Sequence, residues 1–231
     1  MLPRALLAAA LLLPSVAQAA DRQVDLSSFD TLRVEGPFIV ALTTAPSPRG
    51  MMSGDAETLR RVEARISGTT LVVRRSNDGT AMSRSPLGPV TLTIAAPPLS
   101  TITVIGGAQV TAQAMRGTAL SLNINGPGDV HIDRADGEQL SATLLGPAKL
   151  AIGGGRVGKA RLSANGPAAI TAGGLEAGDL LVMLDGAGEV DARARYTATI
   201  ANNGLGRVTV AGTPKCRVTG AGTGPVRCGT R

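Results

Sequence analysis

From residue 100 onward, apolar positions recur two apart on either side of a glycine, and the whole pattern advances along the chain in steps of 20 residues. The glycines are Gly106, Gly126, Gly146, Gly166, Gly186, Gly204 and Gly222, separated by 20, 20, 20, 20, 18 and 18 residues. Four positions after each comes an aliphatic: Val110, Val130, Leu150, Ile170, Val190, Val208 and Val226. Small or apolar residues stand two further on, at Ala112, Ile132, Ile152, Ala172, Ala192, Val210 and Cys228. Others stand four before the glycine, at Ile102, Leu122, Ala142, Leu162, Val182, Ile200 and Val218. Alternation by two with one apolar face is strand periodicity. Each repeat therefore reads as strand, tight turn, strand, loop.

A constant step of this size marks a repeat architecture. The expected fold is all-β, a single-stranded right-handed parallel β-helix (solenoid) with repeats of about 20 residues, in which equivalent residues stack about 4.8 Å apart. A propeller or sandwich would show longer units or irregular strand spacing and gains nothing from a fixed step. Proline after the glycine, at Pro127, Pro147 and Pro167, suits the second position of a tight turn, and Gly128, Ala148 or Ala168 next lets coils approach. The polar series just before the glycine, Asn125, Asn165, Asp185 and Asn203, reads as turn chemistry rather than as a ligand stripe, because Asn and Asp bond nearby backbone.

The N-terminal third lacks the step but still alternates, at Leu32 and Val34, at Phe38, Val40 and Leu42, and across a Ser67-Gly68 turn from Val62, Ala64 and Ile66 to Leu71 and Val73. Leu59, Val62 and Ile66 also fit a helical turn, so residues 55–66 read both ways; strands are favoured there. Residues 25–79 are thus expected to begin or cap the solenoid, Asn77 to Pro89 to form a polar loop, and residues 90–229 to carry the regular repeats. Before them, Arg4, the apolar run Ala5 to Leu13 and the ending Ala17-Gln18-Ala19 read as a signal peptide over residues 1–20, cleaved near Ala19/Ala20. That run is too short to span a bilayer, and no other segment approaches the ~20 residues needed. The mature domain, residues 21–231, is expected to lack an integral membrane segment and to be periplasmic, secreted or on the cell surface.

Charge and composition narrow the partners. The chain carries a formal net charge of +6, and removing the signal peptide with Arg4 leaves +5. Cations never run longer than two in a row, which reads as a solvated face; anionic envelope glycans or another envelope protein are the partner classes such a surface could take. Nucleic acid is not expected, since base stacking wants aromatics and the chain has Phe29, Phe38 and Tyr196 alone. Cys216 and Cys228 lie six residues either side of Gly222 with the same inward parity, which predicts a disulfide closing the last coil. Closing a loop of that size is worth roughly 2–3 kcal/mol.

The outward positions three and five after the turn glycine hold Asp129, His131, Lys149, Glu189, Asp191 and Arg207. Asp129 and Lys149 should stack, with His131, the chain's single histidine, two residues along. A base-catalysed polysaccharide lyase would use such a cluster with a charge-neutralising group. As a solvated pair Asp129 and Lys149 are worth only about 0–1 kcal/mol, and the face lacks the aromatic platforms that hold sugars. The expectation is a non-catalytic protein with no cofactor and no metal, and Asp129, His131 and Lys149 form the alternative site of a carbohydrate-active enzyme.

Four segments in order carry a family likeness: Phe29-Asp30-Thr31-Leu32-Arg33-Val34-Glu35-Gly36-Pro37-Phe38-Ile39-Val40, then Ser53-Gly54-Asp55, then Gly68-Thr69-Thr70-Leu71-Val72-Val73, then Leu99 to Val110 leading into Gly-x-Gly-x-Val turns. In these the chain resembles the bacterial GIN-domain family of adhesin head domains, over residues 25 to 229. The resemblance implies a parallel β-helix at the envelope or cell surface, adhesin-like or scaffolding, and brings no catalytic residues with it.

Overall fold

The computed structural model describes residues 19–76 and 88–230. Its N-terminal strands are β1 (Ala19–Val24), β2 (Thr31–Glu35), β3 (Ile39–Thr44), β4 (Arg49–Asp55), β5 (Val62–Ser67), β6 (Thr70–Arg75), β7 (Thr91–Ala96) and β8 (Thr101–Ile105), with one short helix, α1 (Ala56–Arg60). The repeats follow as β9 (Gln109–Asn125), β10 (Asp129–Leu145), β11 (Lys149–Ile152), β12 (Gly155–Asn165), β13 (Ala169–Asp185) and β14 (Glu189–Asn202). The last strands are β15 (Arg207–Gly212), β16 (Lys215–Thr219) and β17 (Val226–Thr230). Residues 1–18, which hold most of the expected signal peptide, and residues 77–87 of the expected loop lie outside the described residues.

The step becomes a parallel ladder. Val110 pairs with Val130 and Leu122 with Ala142, Val130 in turn with Leu150, and after the shortened turns Val190 with Val208 and Val208 with Val226. The inward column Ile102, Leu122, Ala142, Leu162, Val182 and Ile200 is no more than 1% exposed. The molecule is a parallel β-solenoid.

The loop expected in each repeat is absent in the longest coils. β9 and β10 each run 17 residues without a break, and the inward residues of β10 are Val130, Ile132, Ala135, Leu140, Ala142 and Leu144. Parity slips between Ile132 and Ala135 and again before Leu140, so the strand turns two corners while its backbone stays paired to the coils on either side. Small residues make those corners possible. A Cβ on Gly137 would lie 2.4 Å from the Gly117 carbonyl oxygen.

The third corner is the glycine turn. Gly106, Gly126, Gly146, Gly166 and Gly186 all take positive φ, between 87° and 118°, and so does Gly36 at 119°. Gly36 donates its amide to Ile105 O at 2.9 Å, and Gly106 donates to Asn125 O at 2.9 Å, which puts Gly36-Pro37-Phe38 on the same ladder. The polar role expected of Asn203 falls instead to Asn202. Where the step shortens to 18, Asn202 pairs with Leu184 and enters the core at 3% exposure, while Asn203 stays outside. Asn202 Nδ2 donates to Gly206 O (2.9 Å) and Gly224 O (3.3 Å), and its Oδ1 accepts from the Gly204 amide (3.1 Å). A buried amide is tolerable because all of these bonds are made.

Stack order and chain order differ at the N-terminus. Leu32 on β2 pairs with Ile102 on one side and Leu71 on the other, and Val40 on β3 lies between Val110 and Leu92. The coil of β6 and β7 is therefore outermost. It is covered by antiparallel strands, β5 on β6, β4 on β7 and β1 on β4. Residues 56–60 form a helix where strand was favoured, because Asp55 caps it, accepting from the Glu57 and Thr58 amides at 3.0 Å each. Those bonds, that to Thr58 foremost, hold the Asp55 carboxyl below its ordinary pKa. Arg22 locks this cap, donating to Leu59 O (2.9 Å) and Val62 O (2.8 Å).

Candidate interaction surface

The side faces of the solenoid are built from outward residues at i, i+2 within a strand and, along most of the stack, i+20 between coils. On the face after the glycine turn, Asp129 and Lys149 are direct Cα partners and His131 sits beside Ala151, so the stacking expected from sequence is present. Among the described residues no ion pair joins Asp129 to Lys149. His131 Nε2 lies 3.1 Å from Asp133 Oδ1, both about half exposed, so the imidazole partners a residue outside the expected trio. The three groups project from a flat face into water.

A second array lies at the corner beyond it. Arg116, Asp136, Arg156 and Glu176 stack in register with alternating sign. Arg134 donates to Asp136 through Nε (2.6 Å) and Nη2 (3.1 Å), the Arg156 amide donates to Asp136 Oδ1 (3.1 Å), and Arg156 Nε reaches Glu176 Oε1 at 3.2 Å. The Arg134 bond, helped by the Arg156 amide, holds the Asp136 carboxyl below its usual range. This ladder reads as a register clasp: a slip by one residue would break the pairs that cross between coils, from Arg156 to Asp136 and to Glu176. Its signal in the sequence is opposite charge at a separation of 20.

The remaining face, before the glycine turn, holds a shallow depression of about 560 Å³ whose floor is the outer side of β9, β10, β12, β13 and β14. Ser121, Ser141 and Arg161 line one column, and Gln139, Lys159 and Asp179 the next. Asp179 Oδ1 accepts from Thr197 Oγ1 at 2.6 Å, and Arg161 Nη2 approaches Met183 Sδ at 3.1 Å. Lys159 and Arg161 thus present cations over a mainly apolar floor, with Ala119 and Leu181 outward in it, that also carries the hydroxyls of Ser121, Ser141, Thr197 and Thr199; such a floor can hold an extended anionic chain through charge-assisted hydrogen bonds. The polar series Asn125, Asn165, Asp185 and Asn203, directly before the turn glycine, signals turns, and the columns further back on this face carry no such repeated signal.

Cys216 and Cys228 are bonded, with Cα atoms 6.2 Å apart. Cys216 pairs with Ala198 and Cys228 with Val210, both buried, so the bond crosses the end of the core between two faces.

A regular stack of parallel coils with one covered end belongs to the class of β-solenoid domains. The chain belongs to the GIN-domain family: the family described as "Putative auto-transporter adhesin, head GIN domain" matches residues 28–214. In three dimensions it is similar to "a putative adhesin" from Bacteroides fragilis, with a TM-score of 0.81 at 17% identity over 92% of this chain and 98% of that one. It is also similar to an adhesin-described protein from Parabacteroides merdae (TM-score 0.67, 12% identity, 91% and 96% covered). A "putative lipid binding protein" from Parabacteroides distasonis shares the fold at TM-score 0.66 and 14% identity, with 91% and 96% covered. No curated protein matches the chain in sequence.

Proposed function

We propose that this chain is an exported, non-catalytic, adhesin-like interaction protein of the cell envelope, and that the cation-bearing depression before the glycine turn is its ligand-facing surface. One observation carries the reading: Lys159 and Arg161 stand over a depression in the outer sheet face whose floor combines apolar surface with the hydroxyls of Ser121, Ser141, Thr197 and Thr199, a geometry suited to holding an extended anionic chain. The family's adhesin description and those of the fold relatives support it. So does the disulfide, which suits an oxidising compartment after cleavage near Ala19/Ala20.

The test is capture of envelope fractions by the purified mature protein. Lys159→Ala with Arg161→Ala is expected to weaken capture by roughly five-fold, the scale of a lost exposed charge contact or two. Unchanged capture would remove this face from the reading. Release of sugar product from an acidic polysaccharide panel, abolished by His131→Ala, would overturn the non-catalytic assignment in favour of a site at Asp129, His131 and Lys149.

A further inference from the structure

The positive charge of this chain is concentrated at one end. Of the 23 Lys and Arg residues, seven follow Asp191, and none of the 17 Asp and Glu residues does. Residues 1–191 are therefore close to neutral, and the whole excess belongs to the block that runs from the middle of β14 through β15, β16 and β17. Three of these cations are engaged: Arg193 with Gly173 O at 3.1 Å, Arg195 with Glu176 at 3.9 Å, and Arg207 with Glu189 at 3.4 Å. Lys215, Arg217 and Arg227 are exposed and, among the described residues, have no ion-pair partner.

The backbone at this end is also unpartnered. β16 pairs with β14 and β17 with β15, and among the described residues no strand pairs with their outer edges. The core column that is sealed at Val182 and Ile200 continues to Val218, which keeps the inward parity expected of it yet is 54% exposed, since among the described residues no coil covers it. All five residues of β16 are exposed, and Val226 and Cys228 are covered only in part. At the opposite end β1, β4, β5 and α1 do the covering. The GIN pattern itself stops at residue 214, before this last coil.

We infer that the end formed by β16 and β17 is a docking site for a strand of another protein in which acidic and apolar residues alternate. An added strand would take up the unpaired amides and carbonyls, as edge strands do when a peptide augments a sheet. Its apolar side chains would continue the column over Val218 and the disulfide. Its acidic side chains, two residues apart, would face Lys215 and Arg217, which share the outward side of β16. A second copy of this chain is a poor occupant, since end-to-end pairing would bring these same cations against each other, and like charges across a ladder destabilise it. A polysaccharide could meet the cations but neither the open edge nor Val218. Lys215 and Arg217 continue the outward columns of Lys159 and Arg161 three coils further on, against Thr197 and Thr199 at the rim of the depression; the open strand edge and Val218 are what set this site apart.

The experiment uses the mature, disulfide-bonded protein and a short fluorescent peptide of alternating glutamate and valine. Saturable binding is expected, weakened roughly tenfold or more by Lys215→Glu with Arg217→Glu and left unchanged by Lys159→Ala with Arg161→Ala. Binding should slow amide exchange in β16 and β17, and a peptide carrying proline in place of valine, which cannot pair along an edge, should not bind. The unfolding midpoint of each variant shows that it is folded. Three outcomes overturn the inference: no binding at low salt; equal binding by polyglutamate or heparin without exchange protection; or a dimer of the free protein that covers β16 and β17. The side-face variant keeps failure here distinct from failure of the proposed function.

Discussion

Asn202 is the residue whose environment departs furthest from its chemistry, a polar side chain at a position that Leu184 fills one coil earlier. Asn202→Leu is expected to destabilise by about 1–3 kcal/mol despite adding apolar bulk, because the Gly204 amide and the carbonyls of Gly206 and Gly224 lose their partner. Urea unfolding measures it. Glycines divide in the same physical way. Gly137→Ala forces a Cβ to 2.4 Å from backbone and should lower stability well beyond Gly68→Ala, where φ is +63° but nothing lies within 4 Å. Asp136 sets a pH dependence. A carboxyl whose pKa is lowered by folding adds stability above its unfolded value, near 3.8, and loses it as pH falls through the lower folded value. Asp136→Asn should therefore flatten the acid limb of the stability curve below about pH 4, read from thermal unfolding across pH.

At the scale of elements, the columns from Ile102 to Ile200 are legible in the sequence because each coil repeats the same three features: a turn glycine, at positive φ from Gly106 to Gly186, an aliphatic four residues on, and another apolar residue four before. Gly36 meets those constraints too, yet its partner Gly106 lies far along the chain, so no local step reveals it. The corners at Ala135 and Gly137 escape a period-two reading because parity changes there while hydrogen bonding does not. α1 escapes it because a single capping carboxylate, Asp55, decides between two readings that Leu59 and Val62 satisfy equally. The side faces are legible least, since outward residues answer to solvent and to partners rather than to the repeat. The disulfide-closed pair β16 and β17 should be the weakest element. Reducing the bond, which spans 12 residues, is expected to cost roughly 2–3 kcal/mol and to speed amide exchange in β16 and β17 while β9 to β13 stay protected.

Across the whole molecule, stability is close to a sum of coils and the interfaces between neighbours, so damage should stay local unless it reaches the covered end. That end is tied by long-range contacts. Leu32 pairs with Ile102, some 70 positions away, and Arg22 braces β1 against α1 and β5. Arg22→Ala should accordingly loosen a block rather than a point, with proteolytic nicking rising near residues 19–76 and the repeats beyond Thr101 left intact as a resistant fragment, read by mass spectrometry of the digest.

The interleaving of β2 and β3 between coils that come later in the chain gives the molecule an order of assembly. Bringing Leu32 to Ile102 closes a long loop before any pairing rewards it, and that entropy must be met once. Each later coil closes a loop of about 20 residues onto a surface already made. The repeats can therefore pair among themselves first, with β2 and β3 the slow addition at one end, while β16 and β17, open at the other, are the first to let go.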